Sequence, residues 1–221
     1  GWSSYQGYNQ LKRDVIRVKP RVVVIEYGWN DHWIGFGIED KNVGKIKRMQ
    51  SSIPEELRGY GLFQLITKAM VGYYVDNNSR PNRVSPDDFR ENLVNMVRTA
   101  RENDITPVLI TAPTSHVQGS EPSYLAARWL RSLDELVPLH REYASIVREV
   151  SASEDVVLCD ILEDFEKLPR EDVEEKYFSN DGIHLKPEGN KKISELLVKC
   201  FEENGLLDEL IKKDLTGQDE T

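Results

Sequence analysis

Three short apolar runs constrain this chain more than any other feature. Residues 21–27 (RVVVIEY), 107–111 (PVLIT) and 156–160 (VVLCD) are dense in β-branched side chains and show no polar alternation. A strand with one wet face alternates and a strand covered on both faces does not, so the runs predict central strands of a parallel sheet. Parallel neighbours need long crossovers, usually helices, and the sequence between the runs supplies them. Tyr8, Leu11, Val15 and Val18 recur at three- and four-residue steps, as do Phe89, Leu93, Met96, Val97 and Ala100, the spacing of one helix face. The second of these helices opens on Ser85-Pro86-Asp87-Asp88: a capping hydroxyl, a proline at the first helical position, and carboxylates at the positive end of the dipole.

A further helix is expected from Pro122 through Leu125, Trp129, Leu133 and Leu136, interrupted at Pro138 and resumed from Leu139 to Val150, because an interior proline removes a donor and clashes with the preceding turn. The last helix starts near Pro187, carries Ile193, Leu196, Leu197, Cys200 and Phe201, and stops at Asn204-Gly205, the usual C-terminal glycine. Strands alternating with helices give an α/β fold. Residues 33–83 break the alternation with several glycines, a mixed helix around 57–74 and a polar exit (DNNSRPN, 76–82), and read as an insertion, a candidate lid. The expected organisation is one domain over residues 1–213, with that insertion, and a frayed polar tail over 214–221.

Charge excludes some functions. With 29 Lys+Arg against 38 Asp+Glu the net charge is −9, which argues against nucleic acid as a partner. No run approaches the ~18 apolar residues of a membrane span, and no basic-then-apolar leader opens the chain. The two cysteines, Cys159 in an apolar run and Cys200 on a helical pattern, have no metal or C-x-x-C spacing and are expected to be inert core thiols.

In open α/β sheets ligands bind beyond the carboxyl ends of strands, which singles out GWNDH at 28–32 and NDGIHL at 180–185. Asp181 and His184 stand three apart across a glycine. A turn there brings the carboxylate to one imidazole nitrogen and leaves the other for proton transfer; such pairs also serve as helix caps. Asn30 at a strand end can aim its amide N–H at a developing oxyanion, or simply form a turn.

Together, GWSSYQG (1–7), VVVIEYGWND (22–31) and DGIH (181–184) resemble three of the four signature blocks of the SGNH (GDSL-type) hydrolases, in order and over nearly the whole chain. The resemblance implies a flavodoxin-like three-layer α/β/α fold and serine-dependent hydrolysis or transfer of an acyl group, without cofactor or metal. It implies that His184 is the general base, Asp181 its orienting carboxylate, Asn30 a side-chain oxyanion donor and Gly1 the backbone oxyanion donor, with Gly7 the weaker candidate for that last role. The family's nucleophile is the serine of a Gly-Asp-Ser block upstream of the glycine block, and no Gly-Asp-Ser occurs in residues 1–221. Ser3 and Ser4 read as helix caps. The expectation is therefore a piece lacking ~40 residues, two strands and the nucleophile, inactive by itself. The absent first strand would lie against residues 21–27, leaving an open edge prone to association.

Trp29, His32 and His116 are candidates to line a substrate pocket, and His140, on a helix, is read as structural. Asp31 is expected to brace its loop by accepting backbone N–H bonds. The substrate is expected to be a small-molecule, carbohydrate or lipid ester. A non-catalytic ligand-binding member of the same fold and, more distantly, a metallophosphoesterase using the same Asp, Asn and His residues are the alternatives. Any export signal, and with it an extracytoplasmic or membrane-tethered location, would be encoded upstream.

Overall fold

All three apolar runs form strands: β1 (Val22–Glu26), β2 (Thr106–Ile110) and β3 (Val157–Cys159). The computed structural model describes residues 1–35, 37–52, 54, 61–74, 80–125, 129–208 and 210–211. Residues 57–60, most of the 76–82 exit and the 214–221 tail, all read above from sequence, lie outside them. The strands pair in parallel in the order β1-β2-β3, with Val24 opposite Val108 and Val108 opposite Val157.

Successive side chains on a strand point to opposite faces, and here both faces are covered. Ile25 and Leu109, with Val23 and Leu158 beside them, join one apolar cluster, whereas Val108, Ile110 and Cys159, with Val22 and Val157, join another. Helices α1 (Ser4–Gln10), α4 (Pro86–Arg101) and α5 (Leu136–Glu154) cover the first face. Helix α6 (Pro187–Glu203) and residues 161–178 cover the second. This is the expected α/β/α layering. Among the described residues only β2 is flanked by strands on both sides; β1 and β3 are edges, and Val24 on β1 is 42% exposed.

The caps follow the sequence. Ser85 Oγ accepts from the Asp88 N–H at 3.2 Å with Pro86 at the first helical position. Ser3 caps α1 reciprocally with Gln6: its Oγ accepts from Gln6 N, while Gln6 Oε1 accepts from Ser3 N. α1 runs on through a π turn (Leu11–Val15) and Ile16–Val18 to a left-handed Lys19, φ 49°.

Two expectations fail. Among the described residues, the helix expected from Pro122 is replaced by short 3₁₀ turns at Ser123–Leu125 and Leu133–Glu135, and α5 then runs through Pro138 without interruption. Pro138 sits in the first turn, where the backbone N–H has no partner within the helix in any case, so its missing donor costs nothing. The cysteines are not free thiols: Cys159 and Cys200 form a disulfide that ties β3 to α6. Neither lies near the other in sequence, and only the packing of α6 on the sheet brings them together.

Within residues 33–83, helices α2 (Asp40–Ser51) and α3 (Gly61–Tyr74) pack on each other. The ends of the stretch are clasped by an antiparallel bridge between Ile34 and Asn82, by Gly35 N donating to Pro81 O at 2.8 Å and by Arg83 N donating to Trp33 O at 2.8 Å. Among the described residues no helix is long and apolar enough to cross a membrane.

Candidate active site

The chain leaves β1 through Gly28, whose φ of 134° is on the side of backbone space that glycine alone enters freely. It then makes a single helical turn, Trp29–His32. Asp31 organises this turn. Fully buried, its carboxylate accepts from Gly28 N at 3.1 Å and from Ser4 N at 2.7 Å, the brace expected from sequence and a bond to α1 as well. Burial pushes the Asp31 carboxyl up to about 6, although those bonds pull the other way. The brace draws the start of α1 onto the turn, so that Gly1 lies against Asn30. A Cβ on Gly1 would collide with Asn30 Nδ2 and stand 3.0 Å from its Cγ. Gly7 is placed differently. Its N–H is taken by Ser3 O at 2.9 Å, and its open side is filled by the Tyr27 ring.

The second cluster lies on the turn before α6. Asp181 Oδ1 accepts from Ile183 N and His184 N, each at 2.9 Å, and Oδ2 stands 2.6 Å from His184 Nδ1. Burial works to raise the Asp181 carboxyl, but the three bonds from residues 183 and 184 outweigh it and hold the group below the usual carboxylate range. A carboxylate only accepts, so Nδ1 carries the proton. Among the described residues Nε2 makes no hydrogen bond, and the His184 side chain is 79% exposed.

The segment after β2 joins the clusters. Thr114 Oγ1 and Ser115 N both donate to Gly182 O, at 3.0 and 3.1 Å, and His116 Nε2 lies 2.7 Å from Asp181 O. His116 in turn meets the Trp29 ring edge-on, centroids 5.5 Å apart, and Trp29 Nε1 donates to Pro113 O at 3.4 Å. Asn30, the residue after Trp29, and His184, three after Asp181, are thus linked through one aromatic contact at the carboxyl end of the sheet.

The remaining histidines stand behind this layer. Trp29 stacks on His140 at 4.0 Å. His140 Nε2 lies 2.9 Å from Ala112 O and must donate, leaving its Nδ1 to accept from His32 Nε2 at 3.4 Å. Burial holds His140 down to about 4 and His32 well below its ordinary value, so both rings are neutral. His32 is fully enclosed, with Trp33 and Tyr143 also against its ring. It is therefore closed off from solvent, where the sequence placed it among the residues expected to line a substrate pocket. His140 is structural, as read from sequence, though its role as the platform under Trp29 carried no local signal. The contribution of Thr114 and Ser115 was also missed; their position just past an apolar run was the available clue.

One cleft, of about 460 Å³, is lined by Trp2, Tyr5 and Asp40, and another, of about 350 Å³, by Ser115, His116 and Arg141. Among the described residues no three His, Cys, Asp or Glu side chains are grouped to hold a metal ion.

Comparison with known proteins agrees with the fold. Solved structures with the same fold include a lipase/acylhydrolase from Enterococcus faecalis (18% identity, TM-score 0.55, covering 92% of this chain and 72% of that one). A GDSL-like lipase from Bacteroides thetaiotaomicron is similar (15%, 0.53, 92% and 72%), as is the acetyl xylan esterase AlAXEase (17%, 0.54, 90% and 75%). No curated protein sequence matches. The sequence model of one family does match, over residues 1–192. With that match spanning both polar clusters and all three strands, the chain belongs to the GDSL-like lipase/acylhydrolase family, a family of ester-cleaving hydrolases.

Proposed function

We propose that residues 1–221 supply the base, its carboxylate and the oxyanion donors of a serine-dependent acyl-ester hydrolase. The reacting hydroxyl comes from a Gly-Asp-Ser segment that is not among them. The observation that carries this reading is the Asp181–His184 pair. With Nδ1 fixed at 2.6 Å from Asp181 Oδ2, the ring is held in the tautomer whose free Nε2 accepts a proton.

In the proposed reaction the serine Oγ attacks the ester carbonyl carbon as His184 Nε2 takes its proton. The carbonyl oxygen, now an oxyanion, accepts from Asn30 Nδ2 and from the peptide N–H of Gly1. Collapse breaks the carbonyl–alkoxy bond, and the leaving alcohol takes the proton back from Nε2. Water then repeats the sequence on the acyl-serine. Gly1 is preferred over Gly7 because the Gly7 N–H is already spent inside α1. The exposed His184 ring suits a small-molecule, carbohydrate or lipid ester. Hydrolysis of acetyl xylan, the activity named for AlAXEase, is within that range.

The test is labelling with a serine-directed fluorophosphonate. The natural gene product is expected to react at a serine upstream of Gly1, and the 221-residue chain to remain unlabelled. Asn30→Ala in the gene product should slow ester turnover by about 10²–10³. No label on the gene product, or a label mapping to Ser115, would overturn the reading.

A further inference from the structure

His116 is joined to the turn bearing Asp181 and His184 by more than proximity. Its Nε2 lies 2.7 Å from Asp181 O, and a carbonyl only accepts, so Nε2 carries the hydrogen. Its own backbone N–H is held by Thr114 Oγ1 at 3.0 Å, and the same hydroxyl donates to Gly182 O at 3.0 Å, so ring and backbone grip successive carbonyls of one turn. Gly182 has φ 70°, and a Cβ there would stand 2.5 Å from His116 Nε2 and 2.6 Å from Cδ2. The turn is therefore built around the imidazole. The ring also meets Trp29, the neighbour of Asn30, in an edge-on contact. The second nitrogen, Nδ1, is buried and has no hydrogen-bond partner among the described residues.

A proton on Nδ1 would be an orphaned donor, so this arrangement is made for a neutral ring protonated at Nε2. Desolvation favours the same form, lowering the His116 proton affinity against the pull of the Asp181 backbone.

We propose that His116 is a positioning residue whose Nε2–H, donated to the Asp181 carbonyl, sets the turn that aims the Asp181 carboxylate at His184 Nδ1. It never meets the substrate carbonyl; it acts through Asp181. Through Trp29 it also fixes the distance between the base and the Asn30 turn. The inference rests on the reading of His184 as the base, but its first readout does not.

That readout is the ¹⁵N spectrum of the histidine-labelled natural gene product, which reports which nitrogen of His184 carries the proton. In the unmodified protein His184 should show the Nδ1–H form. His116→Phe keeps the ring against Trp29 and removes the donor. It should return His184 to the mixture of a free imidazole and lower kcat about ten- to a hundredfold at unchanged KM. His116→Gln, whose amide can donate to Asp181 O, should restore most of both. Should the phenylalanine variant not fold, His116→Met, close to glutamine in length but without a donor, takes its place in the comparison. A His184 tautomer that ignores the loss of the donor, or a glutamine no better than the donor-less variant, would overturn the proposal. If the tautomer responds as described in a protein that cleaves no ester, the hydrolase reading falls and the positioning role stands.

Discussion

Ionising Asp31 and charging His140 move stability in opposite directions. Asp31 is raised to about 6 from 3.8, so the folded state keeps a proton that the unfolded chain has already lost. Its contribution is full below the unfolded value and falls by about 3 kcal/mol as pH rises toward 6. His140 is lowered to about 4 from 6.5, and burial holds His32 well below 6.5 too, so the folded state refuses protons that the unfolded chain takes up. Their contribution is full above 6.5 and drains as pH falls, by about 3 kcal/mol for His140 alone. Two histidines outweigh one aspartate, and the protein should lose stability between pH 7 and pH 4.5. Asp31→Asn removes the opposing slope and should make that loss steeper, which urea unfolding at the two pH values will show. Asp181 with His184 could be read from sequence because an i, i+3 pair across a glycine is a local matter. The burial of His32 could not, since the rings that enclose it include His140 and Tyr143, about a hundred residues further on.

At the level of elements, α6 is held to the sheet by the Cys159–Cys200 bond, which closes a loop of 41 residues that includes the His184 turn. On a loop-entropy basis such a link is worth about 4 kcal/mol. Replacing both cysteines by serine should lower unfolding free energy by roughly 2–4 kcal/mol, and reductant should do the same to the unmodified protein while leaving the double variant unchanged. Urea titration with and without dithiothreitol checks both arms. The helices themselves were legible where capping chemistry accompanied the periodicity, as at Ser85-Pro86. They were misread where proline was taken as a breaker without regard to its place in the first turn. The disulfide was invisible because pairing depends on where β3 and α6 meet, and nothing in the spacing of two lone cysteines encodes that.

Across the whole molecule, β1 is the vulnerable edge. Its apolar density announced a strand, and the same density leaves Val24 partly exposed on a strand that, among the described residues, has a neighbour on one side only. The 221-residue chain should associate through this edge. Val24→Lys should reduce association, measured by light scattering against concentration, while shifting the melting temperature little. The clasp at Ile34 and Asn82 has a different consequence. Because its two sides bond to each other, the backbone enters and leaves the segment at one fixed doorway. Asp40 and Lys41, just inside it, bond to Ser3 and Asp88 at 2.6 and 2.5 Å, so whatever the doorway admits is moored to the helices α1 and α4.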